Sequence, residues 1–185
     1  MPKLPVLSTD IQQILQFLHL AEKLKRELRH SWLSDGRRES VAEHTWRMSL
    51  MAVLMSKYIE QPIDLEKALK MIICHDLVEI ETGDMPRPHK PDKKEKYYLE
   101  HTAITTLSAT LPVTLGKDLM ELWTEFETGN STEAKFARAL DKLEVHIQHV
   151  EADISTWDKE IGEYALSLHG ADEAAGGTPC YPCTQ

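Results

Sequence analysis

The run MIICHDLVEI, residues 71–80, places an imidazole and a carboxylate side by side in the middle of an apolar stretch, with Glu79 close behind. Met71, Ile72, Ile73, Leu77, Val78 and Ile80 call for burial, and His75 and Asp76 are carried in with them. An unpaired carboxylate in such surroundings costs several kcal/mol or is forced to protonate. Any fold of this chain must therefore bring a compensating group to these two residues from elsewhere in the sequence.

The rest of the chain reads as helix. From Ser8 onward, Ile11, Ile14, Leu15, Leu18, Leu24 and Leu28 follow three-and-four spacing, with Ser8, Thr9 or Asp10 as the cap. The polar stretch RHSWLSDGRRES breaks that pattern around Gly36. Ser40-Val-Ala-Glu43 is a capping box that opens a helix with Val41, Met48, Met51, Leu54, Met55 and Tyr58 inward, stopped at Gln61-Pro62. Asp64 caps the next helix, which carries Leu65, Ala68, Leu69, Ile72 and Ile73 and runs to about Glu81. Thr82-Gly83-Asp84 and the proline-rich MPRPHKPDKK form loop. Further helices are expected from near Glu95 to Leu111-Pro112 (Tyr98, Leu99, Ile104, Leu107) and from Leu115 to Glu127, where Gly129 supplies the stop. A last long helix starts at Ser131 or Thr132 and carries Phe136, Leu140, Leu143, Ile147, Val150 and Ile154. A shorter segment, 157–168, is expected to pack behind it. No convincing strand pattern appears. The sequence thus predicts an all-α domain of roughly six or seven helices over residues 1–170, followed by a loose tail over 171–185.

A length of 185 residues suffices for one domain with a proper core, and 42% hydrophobic with 28% charged residues is ordinary for a soluble globular protein. The net charge of −9, from 21 basic and 30 acidic residues, argues against a nucleic-acid polymer as partner. Small anionic substrates stay open if local cations or a metal hold them. The start, MPKLPVLSTDIQQ, lacks the apolar core of a signal peptide, and no segment reaches transmembrane length. Together with three cysteines this points to a cytoplasmic protein without a membrane partner. Cys74 reads as a small core residue, and the tail pair Cys180 and Cys183 is too weak a signal to assign zinc or redox chemistry.

Partners for the opening pair lie on two other predicted helices. His44 sits one turn inside the capping box, and Met48, Met51 and Met55 continue its stripe; Asp141 lies between the core positions Leu140 and Leu143. Two imidazoles and two carboxylates converge from three helices, and a divalent cation accounts for that set physically. It replaces the solvation the carboxylates lose and accepts neutral imidazole nitrogen. Two nitrogens and two oxygens suit manganese, cobalt, iron, nickel or zinc, and magnesium less well. They also leave positions for a water and a substrate oxygen. Glu79 rises on the same side of its helix, three residues after Asp76, where it can move a proton, and Asp84 is a second candidate for that role. Arg29 and Lys142, with Arg37 and Arg38, are cations near the motif that can meet phosphate or stand in solvent. Trp32 reads as a lid or as ordinary packing. His19, His146 and His149 read as ordinary core or surface histidines, and Glu125 and Glu127 as helix surface or as ligands of a second metal.

The segments ESVAEHTWRMSLMA (39–52), HDLVEIETGDMP (75–86) and ELWTEFETGNSTEAKFARALDKLE (121–144) resemble the HD-domain metal-dependent phosphohydrolases. The likeness extends over about residues 10–155 and is to the subgroup that includes bacterial 5'-deoxynucleotidases. It implies an HD-domain helical bundle with His44, His75, Asp76 and Asp141 as metal ligands. It further implies Glu79 in proton transfer, Asp84 near the attacking water and sugar, and a homodimer. Arg29-His30-Ser31-Trp32 is similar to the family's arginine and tryptophan segment, which lies ahead of the first metal histidine and whose tryptophan helps reject a ribose 2'-hydroxyl. In the bacterial enzymes those two residues are adjacent; here they are three apart, which leaves deoxyribose selectivity open. The expected activity is a metal-dependent hydrolysis of (deoxy)nucleoside 5'-monophosphates. The alternatives are another nucleotide substrate (a triphosphate, a cyclic nucleotide or a guanosine polyphosphate) and a regulatory module whose metal is only structural. The spare carboxylates Glu79 and Asp84 disfavour the last.

Overall fold

The structure is a computed structural model and describes residues 8–85 and 92–157. Helix α1, Thr9–Ala21, is capped by Ser8, whose side chain accepts from the Ile11 amide. It gives way to a 3-10 turn over Glu22–Lys25 instead of continuing to Leu28. A β-hairpin follows: β1, Leu28–Trp32, pairs antiparallel with β2, Arg38–Ser40. The sequence showed no strand here, and the reason is physical. The residues this hairpin buries are Arg29, Ser31, Glu39 and Ser40, so the alternation that marks a half-buried strand is written in polar side chains.

The capping box opens α2, Val41–Met55, as expected: the Ser40 amide donates to Glu43 Oε2 at 2.8 Å and the Glu43 amide donates to Ser40 Oγ at 3.3 Å. Asp64 caps α3, Leu65–Cys74. The chain then tightens into a 3-10 turn, His75–Val78, before α4, Glu79–Thr82. Where one helix to Glu81 was expected, the axis breaks at the His75-Asp76 pair itself. In a 3-10 turn residues three apart eclipse, which sets Glu79 over Asp76. α5 spans Lys93–Ser108, α6 Val113–Thr128 and α7 Thr132–Glu151, with a closing 3-10 turn at Ile154–Thr156. Gly116 lets α6 start against the end of α5, since a Cβ there would meet the Ser108 carbonyl oxygen at 2.4 Å.

The fold class is all-α, with the hairpin as its single small sheet among the described residues. Two apolar clusters form the core. One joins Met48, Met51, Met71, Ile72, Phe126, Phe136 and Leu140, so it binds α2, α3, α6 and α7. The other joins Val41, Leu77, Val78, Ile80, Ile104, Leu107, Leu119 and Trp123. His75 and Asp76 lie between the two, where α3 ends.

Several positions expected inside are exposed: Leu54, Tyr58, Ile73, Tyr98, Leu99, Leu143 and Val150, together with Ile154, which lies beyond the end of α7. Three-and-four spacing admits residues at the edge of a helix face, and those edges stay open here. The helix expected over 157–168, the domain limit at residue 170 and the Cys180/Cys183 tail lie beyond residue 157, outside the described residues, as does 86–91 of the proline-rich loop. Among the described residues no helix is long and apolar enough to cross a membrane.

Candidate active site

His44 stands on α2 one turn past its cap, His75 and Asp76 open the 3-10 turn, and Asp141 stands on α7. The fold brings all four together. His44 Nε2 lies 3.2 Å from Asp141 Oδ1 and 3.9 Å from Asp76 Oδ2, and His75 Nε2 lies 3.1 Å from Asp76 Oδ2. Ligand atoms of His44, His75 and Asp141 all fall within 4.8 Å of one another. The His75 ring is fixed from behind: Nδ1 donates to the Ile72 carbonyl at 2.7 Å, and the ring packs 4.8 Å from that of Phe126. Its Nε2 is thereby aimed at Asp76 as a close charge pair, yet among the described residues neither His75 Nε2 nor Asp76 Oδ2 makes a hydrogen bond of regular geometry. Buried polar atoms left so are rare and point to a missing partner. A divalent cation bound by N and O donors fits this set.

The hairpin supplies the charge around it. Arg29 on β1 is 5% exposed; its Nε lies 3.3 Å from Glu39 Oε2 and its Nη1 lies 3.5 Å from Asp76 Oδ2. Burial alone would raise the Asp76 carboxyl, but His75, His44 and Arg29 more than reverse it and hold it well below the usual range. His75 shows the counterpart: burial would lower it, and the Asp76 charge lifts it to about 9. Glu79 goes the other way. Burial, with the charges of Asp76 and Asp84, pushes its carboxyl well above the ordinary value against Arg29 and His75, which favours its protonated form. Asp84 is oriented by the backbone, its Oδ2 accepting from the His30 amide at 3.2 Å while its own amide donates to Glu27 Oε1 at 3.1 Å. Gly83 makes this possible with φ of 70°, a left-handed conformation in which a Cβ would press on Glu27 Oε1 at 3.2 Å.

A cavity opens beside these groups. Arg29, His75, Asp76, Glu79, Asp84, Asp141 and Lys142 line it, and His44 lies wholly buried behind Asp141. Trp32 is not brought to it. Its ring lies 5.2 Å from the Arg38 guanidinium, and its carbonyl accepts from Gln148 Nε2 at 2.6 Å. His30, adjacent to Arg29, lines the cavity instead.

Lys96, Glu100, Glu127 and His146 also line it, and Glu39 and Glu144 lie buried behind. Of these six, the sequence reads Glu127 as helix surface or a second-metal ligand and His146 as an ordinary core or surface histidine, and the places of the others were not read from it. Lys96 and Glu100 pair at 2.5 Å across one helical turn, which in sequence is the mark of an exposed helix face. Glu144, three residues after Asp141, did carry a signal, since that spacing places it on the same side of α7.

This fold and site place the protein in a known class. Residues 21–174 match the HD domain family model, and the chain belongs to that family. It is 35% identical over 142 residues to 5'-deoxynucleotidase HDDC2 of Homo sapiens, a match covering 76% of this chain and 68% of that one. A second 5'-deoxynucleotidase HDDC2, from Dictyostelium discoideum, is 35% identical over 144 residues, covering 74% of this chain and 76% of the other. Among solved structures, a protein described as a predicted metal-dependent phosphohydrolase from Magnetospirillum magnetotacticum superposes with a TM-score of 0.69 at 28% identity, covering 91% of this chain and 96% of its own.

Proposed function

We propose that the chain is a metal-dependent phosphomonoesterase that hydrolyses (deoxy)nucleoside 5'-monophosphates to nucleoside and inorganic phosphate. The observation that carries the proposal is the meeting of His44, His75, Asp76 and Asp141 beside a cavity that also presents Glu79 and Asp84. The 5'-deoxynucleotidase relatives from several eukaryotes support the substrate class.

His44, His75, Asp76 and Asp141 are the proposed ligands of one divalent ion. Such an ion supplies a Lewis acid for a phosphoryl oxygen and acidifies a water. The chain's own side chains do the rest. Arg29, fixed from behind by Glu39, faces the phosphate, and Lys96 and Lys142 approach the same cavity. Asp84 takes a proton from the attacking water, whose oxygen forms the new bond to phosphorus. As the bond from phosphorus to the 5'-oxygen breaks, the leaving oxygen takes the proton held on Glu79. The two carboxyl groups thus divide the roles, Asp84 as base and Glu79 as acid. Trp32, held under Arg38, stays outside the proposed contacts.

Charge orders the binding steps. Six carboxyl groups line the cavity (Asp76, Glu79, Asp84, Glu100, Glu127, Asp141), of which Glu79 favours its protonated form, against Arg29, Lys96, Lys142 and the His75 ring, which leaves a small negative excess. A phosphate dianion is repelled there until a divalent ion offsets the excess. Purified protein is expected to release phosphate from dAMP or a related monophosphate with manganese, cobalt, iron, nickel or zinc, and less well with magnesium. Chelation is expected to abolish release and to weaken binding of the monophosphate at least about tenfold in calorimetry. Release of pyrophosphate from triphosphates with none from monophosphates would move the substrate elsewhere. Tight metal binding without hydrolysis across a nucleotide panel would leave only a binding module.

The homodimer and a cytoplasmic location belong to the same proposal. Cys74 is a free thiol, which suits a reducing compartment. Along the outer side of α2, Trp46 (66% exposed), Leu50, Val53 and Leu54 (60%) make an apolar stripe of the kind a second copy covers. Light scattering on the wild-type chain is expected to give twice the monomer mass, and Trp46→Glu is expected to give the monomer. A wild-type monomer at tens of micromolar would remove the dimer.

A further inference from the structure

Behind the proposed ligands, α2 and α7 are zipped together by charge. On α2, His44 and Arg47 lie three residues apart on one side; on α7, Asp141 and Glu144 do the same. The His44 ring stands between the two α7 carboxylates, with Nε2 at 3.2 Å from Asp141 Oδ1 and Nδ1 at 2.5 Å from Glu144 Oε2. The other oxygen of Glu144 accepts from Arg47 Nε at 2.7 Å, and Arg47 Nη1 donates to Glu151 Oε2 at 2.6 Å. Glu144 is 0% exposed. A buried carboxylate is a poor source of stability, because desolvation offsets much of its pairing energy. This one meets the His44 ring at Nδ1, on the side away from the nitrogen that faces Asp141.

We infer that Glu144 is a positioning residue for the metal centre: it holds the proton of His44 on Nδ1 and so presents Nε2 to the ion. The inference rests on the metal reading given under Proposed function. An imidazole has two nitrogens, and a ligand that flips or shifts its proton to Nε2 loses the ion. A carboxylate accepting from Nδ1 fixes the tautomer and the ring plane together, and strengthens the nitrogen as a donor. Arg47 fixes the carboxylate in turn, so that the alignment of α2 on α7 passes to His44 through two charged contacts.

Glu39, His44 and Glu144 also place ligand atoms within 4.8 Å of one another, which raises a second cation site as the competing reading. Two guanidinium groups already stand on those carboxylates. Arg29 Nε lies 3.3 Å from Glu39 Oε2, and Arg47 Nε lies 2.7 Å from Glu144 Oε1. A site with its positive charge already in place has little to offer a second ion.

The test uses the full chain loaded with zinc, a diamagnetic ion, and needs no variant for its first arm. Long-range proton–nitrogen correlation of the histidine rings is expected to show His44 protonated on Nδ1 with Nε2 metal-bound. Metal on Nδ1 would overturn the inference. In the second arm, metal dissociation constants come from chelator competition. Glu144→Ala is expected to weaken metal binding by roughly 10–100-fold, and Glu144→Gln, whose amide oxygen still accepts from Nδ1, to recover most of the loss. Unchanged metal affinity in a folded Glu144→Ala chain, even with a lowered melting temperature, would reduce Glu144 to a structural role. Two ions per wild-type chain would favour the second site and overturn the inference. A wild-type chain that binds no ion fails the metal reading instead, which keeps the two failures apart.

Discussion

Asp76→Ala is expected to lower metal-dependent phosphate release by about 10³-fold or more, roughly 4 kcal/mol at the transition state. The size follows from where the carboxylate stands. Its Oδ2 lies 3.1 Å from His75 Nε2, 3.5 Å from Arg29 Nη1 and 3.9 Å from His44 Nε2, so one oxygen faces both imidazoles and the buried arginine. Without it, the proposed ion keeps one carboxylate donor, and Arg29 loses the contact that draws it toward the cavity. Raising the metal concentration cannot restore the geometry, because the loss is of a ligand and of a charge that positions Arg29. Asp76→Asn, which keeps the shape and removes the charge, is expected to fall nearly as far. Steady-state phosphate release at saturating metal is the measurement, and an alanine variant within tenfold of wild type would remove Asp76 from the machinery.

Glu79→Gln is expected to cut kcat by about 10²–10³-fold with metal affinity nearly unchanged, because it removes a proton donor and no proposed ligand. The same substitution is expected to stabilise the metal-free protein. Glu79 is raised by burial and by the charges of Asp76 and Asp84. Below the unfolded value, about 4.3, both states hold the proton and the group costs nothing. As pH rises further, the unfolded chain gives up its proton while the folded chain retains it, so stability falls until the folded pKa is passed. Glutamine carries no such loss. Above about pH 5 its melting temperature is expected to exceed that of wild type, by about 2–4 °C for each kcal/mol recovered. Thermal melts across pH, set beside kcat, check both halves. Equal melting curves with a normal kcat would contradict the assigned environment and the assigned role together.

The four proposed ligands were legible because they stand in or beside apolar helical runs, where a histidine or carboxylate is out of place. Glu79 was legible by its spacing from Asp76, though the spacing works through a 3-10 turn and not the continuous helix that periodicity suggests. The hairpin was hidden because β1 and β2 bury Arg29, Ser31 and Glu39, and a strand whose inward side is polar has no hydrophobic alternation to show. The neighbours of Arg29 were hidden with it: Glu39 behind, His30 at the cavity and Trp32 turned under Arg38. Lys96 was masked by its pairing with Glu100, and Glu144 by standing in a helix already explained by Asp141 and its apolar neighbours. Long-range charge pairing is a property of the folded chain, and single-sequence periodicity carries little of it.

The central claim is that one divalent ion is held jointly by α2, the turn after α3, and α7. Crystals grown with manganese, with diffraction recorded on either side of its absorption edge, test it directly. One strong anomalous peak per chain is expected, within bonding distance of His44 Nε2, His75 Nε2 and a carboxylate oxygen each of Asp76 and Asp141. A map without a peak in that pocket, or with its peak on other residues, would contradict it.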